Sequence, residues 1–195
     1  MSRAGFFVAT TVVALCAAAC SSGSSAGSGN PASTGDGGSG MNQDGSGSAT
    51  FDQFQLHNLE VVNMYRATLK IAPLALDAKI CAFALAGTNE LTMDHTPHAH
   101  FVNASNDGSI WSAGFSTPAG ENQGDPNGWT VLAPDPTTNE LDQIDAIQKV
   151  MFDEGPGAGE AHGHYTNMMN PQFTRLGVGL VEVAGHLYLT NDFSG

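Results

Sequence analysis

Apolar side chains recur at the three-and-four rhythm of an amphipathic helix at Leu59, Val62, Tyr65 and Leu69, with Arg66 on the same stripe, and again at Ile80, Ala84, Gly87 and Leu91. Two helices follow. Asp77 stands just before the second as an N-cap, and Pro73 in the connector 71–76 keeps the two from fusing. Thr137 precedes Glu140 by three residues, the spacing of a capping box, and a third helix continues through Ile144, Ile147 and Met151 until Gly155-Pro156-Gly157 stops it. Segment 163–169 has room for a short helix closed by Asn170-Pro171. The rhythm then shortens to two: Leu176, Val178 and Leu180 alternate with Gly177, Gly179 and Val181, and Ala184-Gly185 separates that run from Leu187-Tyr188-Leu189. This pattern predicts a hairpin of largely buried strands, with 115–122 as a further strand candidate. Helices early, strands late and one helix between them predict an α+β domain with helices packed on an antiparallel sheet.

The first fifty residues follow another logic. Met1-Ser2-Arg3 is basic, and Ala4 to Ala19 runs sixteen residues without a charge, too short for a bilayer span and suited to an export signal. It ends Ala17-Ala18-Ala19-Cys20, which resembles the cleavage and lipidation site of bacterial lipoproteins, except that Ala17 replaces the branched aliphatic residue usual there. The competing reading is an ordinary signal cut after Ala19 that leaves Cys20 as a free thiol, a rare state for an exported protein. Residues 21–50 hold nine Gly and nine Ser and almost nothing apolar, so chain entropy outweighs packing. The expected organisation is a signal peptide at 1–19, a lipidated Cys20 with a Gly/Ser tether of about 30 Å at 20–50, and one folded domain at 51–195 in an extracytoplasmic, membrane-anchored protein.

Six Lys and Arg against 19 Asp and Glu give a net charge of -13, which opposes nucleic acid and anionic lipid surfaces. Only Cys81 of the three cysteines lies in the folded part, so the domain holds by packing without an internal disulfide. Five of seven histidines fall in two clusters, His95, His98 and His100, then His162 and His164. Neutral imidazoles brought together from two segments suit a divalent metal such as zinc. Histidines in loops also cap backbone groups, and the chain has neither HExxH nor a Cys-x-x-Cys pair. In His-Ala-His and His-Gly-His both rings point one way only if the segment is extended, so one ring of each pair is expected to face a site.

Gly120-Glu121-Asn122, the segment Gly163-His164-Tyr165-Thr166-Asn167-Met168-Met169 and the run Thr174-Arg175-Leu176-Gly177-Val178-Gly179 resemble, in order and spacing, the signature segments of the CAP superfamily, the SCP-like domain of cysteine-rich secretory and pathogenesis-related proteins. Asn63-Met64-Tyr65-Arg66 and Leu74-Ala75-Leu76-Asp77 extend the resemblance over nearly all of 56–193. The resemblance implies a three-layer α-β-α sandwich whose cleft is lined by two histidines and two acids. By position these are His164, Glu121, Glu154 with Asp153 as rival, and His100 with His98 as alternate. His162 is kept with His98 and Asp153 as an alternate metal ligand, and His95 and His162 otherwise support the set from outside or face solvent. The chain departs from the eukaryotic members in lacking their disulfides, has no cysteine in Tyr188-Leu189-Thr190-Asn191-Asp192-Phe193, and carries a Pro/Gly/Asp-rich stretch at 124–138.

Such a cleft predicts a tethered binding module in which His100 and His164 take zinc or another divalent cation, oriented by Glu121 and Glu154. The resemblance also implies lipid, sterol or cell-wall partners. The alternative is a metal-assisted hydrolase with Glu154 or Glu121 as general base; no activated Ser or Cys nucleophile is visible, since Cys81 falls on a buried helix face. A third reading is a structural envelope protein with an inactive cleft.

Overall fold

The computed structural model describes residues 51–128 and 139–195. The expected signal peptide, Cys20, the tether and Thr137 with most of the 124–138 stretch lie outside the described residues. Helix α1 (Gln53–Thr68) starts on a capping box, Asp52 accepting from Gln55 N while the Gln55 side chain accepts from Asp52 N. Strand β1 (Ala75–Leu76) leads into α2 (Ala78–Asp94), N-capped by Asp77. Helix α3 (Ala99–Asp107) was not expected from the sequence; its short stripe buries only Phe101 and Ala104. Strand β2 (Ala119–Gly124) precedes α4 (Glu140–Asp153), whose N-cap is Asn139, accepting from Asp142 N, in place of the Thr137 capping box read from the sequence. Helix α5 (Gly163–Met168) and the hairpin β3 (Arg175–Val183) and β4 (His186–Ser194) complete the domain.

The sheet order is β1-β3-β4-β2, with β2 at one edge; β1 runs parallel to β3, and the other pairs are antiparallel. Side chains opposite one another in a ladder share a face, so the register sorts the sheet into two surfaces. Leu176, Val178, Leu180, Leu189 and Phe193 lie on one surface and pack with Val62 of α1, Ile144, Ile147 and Met151 of α4, and Met168 of α5. On the other surface, which carries the rows Gly177-Asp192-Glu121 and Gly179-Thr190-Gln123, α2 lies over β3 and β4, and α3 packs beside it in a smaller cluster of Ile80, Phe101, Ile110 and Phe115. Helices on both faces make the three-layer α-β-α sandwich.

Gly177 and Gly179 are needed for this packing. A Cβ at either would stand 2.4 Å from backbone atoms of Ile80 or Ala84, so α2 lies directly on the β3 backbone. Arg66 closes the other layer: fully buried, it donates to the carbonyls of Ala72, Met168, Asn170 and Phe173 and so ties α1 to the end of α5 and the approach to β3.

Candidate functional site

Two imidazole–carboxylate pairs meet the edge strand β2. His98, the N-cap of α3, donates from Nδ1 to Glu121 Oε1 at 2.9 Å. His164, in the first turn of α5, donates from Nδ1 to Glu154 Oε1. The other Glu154 oxygen accepts His164 N at 2.9 Å and Tyr165 N at 3.3 Å, so one carboxylate at the C-cap of α4 fixes both the ring and the start of α5. Each acid sets its histidine's tautomer: with Nδ1 carrying the proton, Nε2 is the ring nitrogen with a lone pair. The side chain of His98 is 14% exposed and that of His164 9%, against 2% and 17% for their acids.

The pairs approach β2 from opposite faces. Glu121 shares its face with Asp192 and Gln123, the face on which α2 packs. His164 comes from the other side, where its carbonyl accepts from Asn122 Nδ2 at 3.0 Å. Asn167 of α5 donates to both Glu121 O and Asn122 Oδ1, closing that helix onto the strand.

Among the other candidates, His100 pairs with Glu90 at 2.9 Å and tilts against the Phe83 ring, away from Glu121, so the ring placed at Glu121 is that of His98. The φ of +66° at His98 turns the chain immediately before the helix, and the two rings of His-Ala-His diverge. His162 donates from Nδ1 to the carbonyls of Glu154 and Gly155, bracing the end of α4. Asp153 pairs with Lys149 on the exposed side of the same helix. His95 bonds Asp125 at 3.2 Å at the far end of β2.

Sequence reasoning missed three buried polar residues on this face, Asp192, Gln123 and Asp125. Asp192 is fully buried and neither of its carboxyl oxygens has a partner, nor has Glu121 Oε2 across the ladder. Burial first, and then the charge of Glu121, push the Asp192 carboxyl well above the ordinary range. A protonated Asp192 would supply the hydrogen that this row lacks. The signal was present in the alternation Glu121, Gln123, Asp125, three polar residues on one face of a strand.

No three His, Cys, Asp or Glu side chains among the described residues are arranged to hold a metal ion. Protein zinc centres take three or four such ligands, and here both site glutamates are engaged with imidazole Nδ1. The two site imidazoles alone therefore fall short of the full ligand set of a resident zinc centre, and no step of the site's chemistry is assigned to a metal.

A family model described as the cysteine-rich secretory protein family, CAP, matches residues 59–193. Among solved structures, the chain resembles Schistosoma mansoni venom allergen-like protein 4 at 11% identity and a TM-score of 0.52, covering 74% of this chain and 89% of that one. NaASP2, solved with Zn2+, matches at 15% identity and a TM-score of 0.51, with coverages of 74% and 82%. Na-ASP-1 matches at 15% identity and a TM-score of 0.50; 78% of this chain is covered but only 41% of that longer one. At these identities the likeness shows the fold alone. No curated protein sequence matches the chain. With the signature segments placed around β2, the three-layer architecture in hand and the family model spanning 59–193, the chain belongs to the cysteine-rich secretory protein (CAP) family.

Proposed function

We propose that this protein is an exported CAP domain that binds a ligand at His98 and His164, tethered to the bacterial envelope through a lipidated Cys20. The observation that carries the reading is the matched pair of Nδ1-to-carboxylate bonds, His98 to Glu121 and His164 to Glu154, on either side of one edge strand. Each glutamate orients an imidazole, and each neutral imidazole has Nε2 as its ligand-accepting atom. Glu154 is committed to three donors, an arrangement that favours a scaffold over a general base and so a binding module over a hydrolase.

A divalent cation is the first ligand to test. With imidazoles as the only protein donors, most of its shell would come from water or from a second ligand, so binding would be weak and exchangeable. The Zn2+ in the NaASP2 structure supports trying zinc first. Lipid, sterol and cell-wall fragments are the organic ligands to test beside it. Calorimetric titration of the purified chain with zinc is expected to give binding that is lost in His98→Ala and in His164→Ala and kept in His100→Ala. Equal affinity in wild type and the His98→Ala, His164→Ala double variant would remove the imidazoles from the site. Turnover of an ester, peptide or glycan panel that disappears in Glu154→Gln would replace the binding module with the hydrolase.

A further inference from the structure

We propose that Gln123 is a positioning residue for His98, holding it through a buried hydrogen-bond relay that crosses the sheet to α2. The proposal rests on His98 contacting the ligand. His98 N donates to Gln123 Oε1 at 2.6 Å, and Gln123 Nε2 donates to Thr190 Oγ1 at 3.1 Å. Thr190 and Thr88 are joined hydroxyl to hydroxyl at 2.8 Å, and Thr88 Oγ1 donates to Ala84 O at 2.8 Å. Only one direction satisfies all four links: Thr88 spends its hydrogen on Ala84 O, so Thr190 must donate to Thr88 and accept from Gln123. That leaves the Gln123 carbonyl oxygen facing His98 N, and the amide cannot flip without breaking two bonds. Thr88 and Thr190 are fully buried and Gln123 is 6% exposed, so no water competes easily for these groups.

The relay ends where the chain is strained. His98 sits at φ +66° and His95, three residues earlier, at φ +51°, a region that side chains other than Gly seldom adopt. Such conformations persist where surrounding contacts over-determine them. Here β2 and the residue just past it hold the loop at three points: Glu121 takes the His98 ring, Gln123 the His98 amide and Asp125 the His95 ring. Glu121 can orient only a ring that the backbone has already delivered, and the Gln123 bond delivers it.

Thr190→Val is nearly isosteric, touches neither histidine, and leaves Gln123 Nε2 without an acceptor; Thr190→Ser retains the hydroxyl. With the chain labelled on histidine, NMR reads the His98 and His164 rings separately, and zinc titration reads binding. In Thr190→Val the His98 ring resonances are expected to shift and broaden while those of His164 stay in place, and zinc affinity to fall about fivefold to tenfold, the loss of one net hydrogen bond. Thr190→Ser restores both. If Thr190→Val does not fold, Gln123→Met replaces it with the same expectation. Unchanged His98 resonances, or equal movement of His98 and His164, would overturn the proposal. Absence of zinc binding in wild type would sink the proposed ligand chemistry, while the ring resonances would still decide the role of Gln123.

Discussion

On the face of the sheet beneath α1, α4 and α5, Leu176, Val178, Leu189 and Phe193 are almost wholly excluded from water and meet apolar helix residues. On the opposite face the same strands carry Gly177, Gly179, Thr190 and Asp192, and the neighbouring β2 carries Glu121 and Gln123. The first face is organised mainly by area removed from water, which is nondirectional and tolerant of small shifts, with one buried amide chain from Gln148 through Asn58 to Asn191 set into it. The second is organised by hydrogen bonds and close backbone approach, which demand exact placement and leave a carboxyl group, Asp192, without a hydrogen-bond partner. Stability is concentrated on one side and orientation of His98 on the other, so the two sides should fail in different ways.

The largest effect is expected on the apolar face. Ile147→Ala should cost about 2–5 kcal/mol in denaturant unfolding while leaving the His98 ring resonances in place; a shift of His98 would mean that the faces are not separable. Next, Gly177→Ala should cost about 1–3 kcal/mol, because its Cβ would collide with the Ile80 backbone, and should disturb α2 and the relay with it. Asp192→Asn sharpens the contrast through pH. A carboxyl raised in the folded state contributes stability that is present below its unfolded value of about 3.9 and is lost as pH rises through the folded value. The variant, which cannot ionise, should therefore match wild type near pH 3 and become progressively the more stable toward neutral pH; parallel melting curves across that range would contradict the raised carboxyl. The smallest effect is expected for His100→Ala, which removes an ion pair to half-exposed Glu90: at most about 1 kcal/mol of stability and no change in zinc titration.

The elements with long, regular spacing were legible from residues alone. Val62 and Arg66 on α1, Ile80, Ala84 and Leu91 on α2, and the alternation of β3 all fall on the buried sides that periodicity assigns them. Glu121, Glu154 and His164 entered by family resemblance, and each sits in an imidazole–carboxylate pair, His98 with Glu121 on one face of β2 and His164 with Glu154 on the other. The choice between His98 and His100 could not be read, because it turns on left-handed backbone at His95 and His98, where nothing in the residue types signals positive φ. Helix α3 escaped for a related reason: nine residues with two buried side chains, bounded by left-handed residues at both ends, offer almost no periodic signal. The start of α4 shows the limit of cap signatures, since Thr137 and Asn139 both suit the role and only the described Asn139 bond to Asp142 N decides it.

The glycines of β3 bring α2 down onto one strand, while on β4 and β2 the same layer must accommodate full side chains. The α2 backbone therefore rests on β3 with no side chain between them, and the same helix carries Thr88 at the end of the relay to His98. Bulk introduced at Gly177 or Gly179 would lift that helix, so the placement of His98 is coupled to two positions that make no contact with its ring.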